Sequence, residues 1–335
     1  MRIALDAMGG DHAPREIVRG AAAGLRHLSD GDQVLLYGLR DVIEGECREH
    51  GLTDPRIHIE HCSQTIGMDE SPVEALRGKR DSTIVRMASA AGKGELDAII
   101  SAGNTGAFAA AAQLRIKPIA GVTRPGIAVV MPTFRGPVIL CDVGANTTPK
   151  PHHLHEYARM CDIYAREILG IAEPQVGIIS IGEEERKGNP LVKEAHALLK
   201  GDAQLHFIGN VEGRDIFAGD GQVFICDGFV GNVTLKLTEG LAEGLFKTIV
   251  REIGQEGPSF AQQFAPIVER IWKRHDFAEY GGAPLLGINS VVIICHGRSD
   301  QRAISNAIRV AAEQFRTKLN NVIESRMASL VERPA

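Results

Sequence analysis

Aromatic residues are scarce in this chain, at 5% of 335 residues with a single tryptophan. That argues against a stacking platform for single-stranded nucleic acid. There is no excess of positive charge either, since the formal net charge is -5. A wholesale nucleic-acid footprint is therefore not expected, although a local basic patch is compatible with that total. The six cysteines at 47, 62, 141, 161, 226 and 295 form no CxxC pair. Such scattering suits reduced thiols in a cytosolic protein better than disulfides or zinc. No run of about 18 apolar residues exists to span a bilayer. The opening MRIALDAMGGDHAP has too short an apolar run, and acidic residues too soon, for a signal peptide. A GxGxxG turn followed by an acidic residue is also missing, which is only suggestive against a nicotinamide cofactor.

What is present is ordinary globular composition, 44% hydrophobic and 24% charged, ample for one large or two medium domains. Asp97 to Leu114 sets the pattern. Ala98-Ile99-Ile100 reads as a buried strand, Ser101 to Gly106 as a tight turn, and Ala107 to Leu114 as a helix of strong helix formers. Glycine lets backbone approach a ligand, and a helix N-terminus favours an anion, phosphate above all. The plan recurs. Strands at 3–8, 33–38, 57–62, 176–181 and 291–295 alternate with helices, implying a mainly parallel sheet flanked by helices. A hairpin is expected at 126–143. Polar turns rich in Gly, Asn and Asp follow the strands at Asp6, Ser101, Asp142, Gly182, Asp227 and His296. Strand carboxyl ends are where open α/β sheets bind ligands, so a shared cleft is expected. Two longer pieces stand apart. Leu237, Leu241, Leu245, Ile249 and Ile253 make an apolar stripe, and with a second helix at about 260–273 they predict a helical hairpin arm over about 233–274. One further helix is expected from Arg302 to Leu330. The whole, residues 1–335, is read as a single α/β domain bearing that arm.

Five segments, LDAMGGDHAP, SAGNTGA, DVGAN, GEEERKGN and DGFVGN, resemble in order the signature set of PlsX-type phosphate acyltransferases. The resemblance implies a fold like that of the isocitrate and isopropylmalate dehydrogenases. It implies transfer of a fatty acyl group from acyl carrier protein to inorganic phosphate, with acyl phosphate feeding phospholipid synthesis through a membrane glycerol-phosphate acyltransferase. It also implies a homodimer in the cytoplasm, with peripheral contact to the membrane or to that downstream enzyme left open, and no cofactor. An oxidative decarboxylase using a nicotinamide, and a carrier- or lipid-binding module without turnover, are the rival readings.

Attack of phosphate on a thioester needs an anion site, oxyanion donors and proximity. Backbone N–H groups at Asn104 to Gly106 and at Gly231 to Val233, both expected to open helices, are candidates. Asn104, Thr105, Asn146 and Asn232 offer neutral donors. Lys187 suits phosphate or the leaving thiolate, with Lys236 behind it, and His12 suits a general acid; the competing readings are a solvated lysine in an acidic turn and a histidine that positions a loop. Asp6, Asp142 and Asp227 would repel phosphate and fit better as anchors for turns built on Gly9, Gly10, Gly103, Gly106, Gly144, Gly182, Gly228 and Gly231. No metal is expected, although His152, His153, His155 and Glu156 are ligand types near one helix start. Cys141 and Cys226 leave an acyl-cysteine route conceivable. An acidic carrier calls for a basic dock, either Arg77, Lys79 and Arg80 or Arg270, Lys273 and Arg274.

Overall fold

The computed structural model describes residues 1–133, 135–275 and 277–331. Phe134 lies outside them, as does the side chain of Arg274. The first part runs β1 (Arg2–Asp6), α1 (Arg15–Gly24), β2 (Gln33–Gly38), α2 (Arg40–Glu49), β3 (Ile57–His61), α3 (Pro72–Gly78), α4 (Thr83–Gly92), β4 (Ala98–Ser101) and α5 (Thr105–Arg115). The hairpin β5 (Gly126–Thr133) and β6 (Gly136–Cys141) follows, then α6 (Pro151–Glu167), β7 (Gln175–Ile179), α7 (Pro190–Lys200), β8 (His206–Val211), α8 (Asp215–Ala218) and β9 (Val223–Ile225). The chain ends with α9 (Gly228–Gln255), α10 (Pro258–His275), β10 (Ala283–Leu286), β11 (Val291–Ile294), α11 (Gln301–Arg316) and α12 (Leu319–Val331).

All strands belong to one sheet, ordered β3-β2-β1-β4-β11-β10-β5-β6-β9-β7-β8. The first five are mutually parallel, as are the last four. Between them lie three antiparallel junctions, β11 with β10, β10 with β5, and β5 with β6. Three reversals leave the two parallel sets running in opposite senses. β10 is the link: Ala283 and Pro284 pair with β11, Leu285 and Leu286 with β5.

Both faces of the sheet are covered, so strand residues are apolar on either side. Ile3 and Leu5 pack with Ile17, Val18, Ile304 and Ile308 of α1 and α11. Ala4, pointing the other way, joins Ile84, Met87 and Phe108 of α4 and α5. In the second set Ile139 and Val223 meet Leu154, Tyr157 and Ile323 of α6 and α12.

Three features differ from the expectations. α3 and β10 are too short to show a period. The last helix is two, because Lys318 takes a left-handed φ of 54° between α11 and α12. And α9 starts at Gly228, not near Val233, because Asp227 caps it by accepting from the N–H groups of Phe229 and Val230.

Candidate functional site

The polar turns form two groups, one per parallel set. Asp6, Ser101 and His296 end β1, β4 and β11, and Asp142, Asp227 and Gly182 end β6, β9 and β7. Because the sets are antiparallel to each other, these groups lie at opposite edges of the sheet. What separates them is short: four residues of β10 rise about 13 Å. α9 spans it. Eight residues from Gly228 to Lys236 advance about 12 Å along the helix axis. Lys236 Nζ accordingly reaches Nε2 of His296 at 2.6 Å, and also pairs with Glu239 at 3.0 Å. Burial, then the Lys236 charge, lowers the pKa of His296, and its Nδ1 accepts the Arg298 N–H at 3.1 Å.

The first group is zipped together through backbone. Ser101 Oγ donates to Asp6 at 2.7 Å, and Met8 N–H donates to the same carboxylate at 3.3 Å. Burial nonetheless raises the pKa of Asp6, against those bonds. Asp11 N–H donates to the Gly297 carbonyl at 2.7 Å, joining the turn of Gly9 and Gly10 to that of His296. A Cβ at Gly9 would stand 2.5 Å from an Asp6 carboxylate oxygen and 2.8 Å from the Gly103 nitrogen, so the close approach of the two turns requires glycine at position 9. His12 is exposed, and its ring makes no hydrogen bond, ion pair or ring contact with a described residue.

Asn104 is spent on structure. Its Oδ1 caps α5 by accepting from Ala107 at 2.9 Å, and its Nδ2 donates to the carbonyls of Gly67, Met68 and Glu70 at 3.0–3.1 Å. The side-chain donor expected of Asn104 is therefore occupied. The backbone N–H groups of Thr105 and Gly106, in the exposed first turn of α5, retain their donor capacity.

The second group centres on Asp142, which is fully buried and accepts from the N–H groups of Ile127, Gly144, Ala145 and Asn146 at 2.7–3.1 Å. Burial raises its pKa, opposed by these bonds. Asn146 is likewise consumed, donating to Pro125 O at 2.8 Å and to the Tyr157 hydroxyl at 2.7 Å while accepting from Arg124. At the start of α9, Gly228 N–H donates to Asn146 O, Phe229 and Val230 to Asp227, and Gly231 to Asp227 O. The backbone anion site expected at Gly231 to Val233 is therefore absent: those groups lie inside the helix ladder. Asn232 differs, because its exposed amide gives one N–H to Val143 O at 3.0 Å and keeps its other polar capacity.

Lys187 is exposed on a loop tied to the outer strand and helix by Asn210 with Glu184 O, Glu185 with Lys200, and Glu183 with Arg214. It sits on the same sheet edge as Asp142 and Asp227, and no described contact joins it to either. The histidines of α6 are dispersed. His153 accepts from Lys150 N–H, His155 binds Asp202, and Glu156 binds Thr123. No cluster of metal-ligating side chains occurs among the described residues. Cys141 and Cys226 are buried, and burial pushes both thiols well above the ordinary range. Surface cavities of 530, 250 and 460 Å³ lie away from the strand-end turns. The Lys236–His296 pair was beyond sequence reasoning, because 60 residues separate its members and no spacing rule joins them.

The solved structures similar to this chain share its architecture. A phosphotransacetylase from Streptococcus pyogenes aligns with a TM-score of 0.65 over 94% of both chains at 19% identity. A branched-chain phosphotransacylase from Enterococcus faecalis gives 0.58 over 93% of this chain and 99% of that one, at 15% identity. A 4-hydroxythreonine-4-phosphate dehydrogenase from Klebsiella pneumoniae gives 0.53 at 12% identity, covering 94% and 97%. At such identities the likeness is one of fold. Among curated sequences, the phosphate acyltransferase of Heliobacterium modesticaldum is 48% identical over 99% of both chains. That of Desulfitobacterium hafniense is 49% identical over 93% of each. A family model described as fatty acid synthesis protein matches residues 1–322. The comparisons favour acyl transfer to phosphate over a dehydrogenase or a module without turnover. The chain belongs to the fatty acid synthesis protein family, with the phosphate acyltransferases.

Proposed function

We propose that this phosphate acyltransferase takes its fatty acyl group from an acyl carrier protein thioester and passes it to inorganic phosphate by direct attack. The observation that carries the reading is the span of α9, which brings Lys236 to His296 while Asn232 stays on the Asp142 turn. Donors from both sheet edges thereby flank one short stretch of helix. Phosphate is already an anionic nucleophile at neutral pH, so the protein's work is to hold it, receive charge at the thioester oxygen and align the two. The first-turn N–H groups of Thr105 and Gly106 suit phosphate. The free side of the Asn232 amide suits the developing oxyanion. Lys236, and Lys187 from the neighbouring loop, suit the departing thiolate. His12, exposed and unpartnered, suits proton delivery to that sulfur. Asp6, Asp142, Asp227, Asn104 and Asn146 hold the turns.

A covalent acyl-cysteine is disfavoured because the buried, high-pKa thiols of Cys141 and Cys226 supply little thiolate. Cys141→Ala and Cys226→Ala are expected to retain turnover within about fivefold of wild type; loss of all activity in either would restore the covalent route. The direct test combines purified protein, palmitoyl-acyl carrier protein and phosphate, trapping acyl phosphate with hydroxylamine. Phosphate-dependent product is expected; carrier binding without product would overturn the assignment.

The apolar stripe of α9 supports a second copy as its cover. Leu237, Leu241, Leu245 and Ile249 are 69, 60, 55 and 47% exposed. In water such a face is expected to be buried against a like face, giving a homodimer. A membrane surface is the second occupant the stripe would fit. No helix of the described chain is long and apolar enough to cross a membrane.

A further inference from the structure

At the far end of α5 from Thr105, a groove of 460 Å³ is lined by Leu76, Arg77, Arg80, Val85, Ser89 and Arg115. Arg77 lies in the last turn of α3, Arg115 ends α5, and Arg80 stands in the link to α4. All three are exposed, and none makes an ion pair or side-chain hydrogen bond with a described residue. Other arginines of the chain are engaged, Arg86 by Asp81, Arg56 by Asp54 and Arg166 by Asp162. Favourable interaction with a helix C-terminus accounts for Arg77 and for Arg115 singly. It does not account for Arg80, nor for three unneutralised cations sharing one concavity in a chain of net charge -5.

The surroundings are apolar. Val85 is buried beneath the groove, Val73, one helical turn before Arg77, is 57% exposed, and Leu114 beside Arg115 is 68% exposed. Cations bordering exposed aliphatic side chains match an amphipathic helix with an acidic face. The second basic run is a poorer fit, because Lys273 is paired with Glu269 at 3.0 Å. Lys79, from the first run, is also withdrawn: it holds Thr65 O at 2.8 Å and Glu70 at 2.6 Å.

We propose that the Arg77–Arg80–Arg115 groove is where the acyl carrier docks, through an acidic amphipathic helix; this rests on the carrier-thioester reading above. The groove and the first turn of α5 are opposite ends of one helix, about 15 Å apart. A thioester on an extended prosthetic arm crosses such a distance while the carrier's body stays outside.

The test is the triple variant Arg77→Glu, Arg80→Glu, Arg115→Glu, assayed with two donors, palmitoyl-acyl carrier protein and carrier-free palmitoyl-pantetheine. The Michaelis constant for the carrier donor should rise at least about tenfold, with those for phosphate and palmitoyl-pantetheine unchanged. Raising salt toward about 0.5 M should weaken wild type with the carrier donor and leave the variant indifferent. The milder Arg→Gln triple should give an intermediate rise, which separates docking from misfolding. An unchanged constant for the carrier donor, or an equal loss with both donors, would overturn the groove. Failure of wild type to use the carrier donor while using palmitoyl-pantetheine would overturn the carrier reading and the groove with it.

Discussion

A Cβ at residue 231 would sit 1.9 Å from the Asp142 carbonyl oxygen, a distance no real side chain occupies. Gly231→Ala must therefore push the first turn of α9 off the Asp142 turn. A loss of at least about 2 kcal/mol is expected on the scale of overpacking, with turnover falling alongside; urea denaturation showing wild-type stability would contradict the contact. His153 gives a pH signature. Burial, then the charges of His152, Arg124 and Lys150, pushes its imidazole down to about 4, and its Nδ1 accepts the Lys150 N–H at 2.8 Å. The folded state thus binds that proton less tightly than the unfolded chain, whose histidine has its ordinary value near 6.5. The stabilisation is present above pH 6.5 and is lost as pH falls toward 4. Stability of wild type should decline across that window, and His153→Gln should flatten part of the decline. Equal slopes for the two proteins, in denaturation series at stepped pH, would show the ring is not held neutral.

At the scale of elements, α9 has two unlike parts. Its first turns bury Gly228, Gly231 and Leu235, while the rest carries the exposed stripe. α9 packs on α10, with Phe246 edge-on to Trp272 at 4.9 Å between ring centroids, yet the outer leucines are left uncovered. If the stripe closes the proposed dimer, Leu241→Glu with Leu245→Glu should leave a monomer in light scattering, with little change in the melting of the α/β body. A mass unchanged from wild type would overturn the stripe as the proposed contact between copies. The long helix was legible in the sequence because an aliphatic residue at every fourth position, from Leu237 to Ile253, survives any context. Its first turn was not: DGFVGN reads as a loop through its two glycines, and only the capping bonds of Asp227 place it in the helix.

At the scale of the molecule, the two parallel sets run in opposite senses and share one bridging helix. Lys236→Met keeps the stem and removes the ammonium that meets His296. Turnover should fall about 10- to 100-fold, the range of a lost charge-stabilising contact, while thermal stability stays near wild type; an undiminished turnover would detach the helix from the chemistry. The sequence by itself determined the alternation of strands and helices, the polar turns after them, the arm, and through five ordered motifs the family. These follow from local periodicity and from residue types that a turn or helix end demands. Only the tertiary structure decided how the turns are grouped, because β10 is four residues long and its antiparallel pairing reverses half the sheet without any local signal. It also decided which polar side chains remain available. Asn104 and Asn146 look like donors in the sequence, but buried carbonyls must be satisfied by whatever amide the fold brings to them, and these two are used that way.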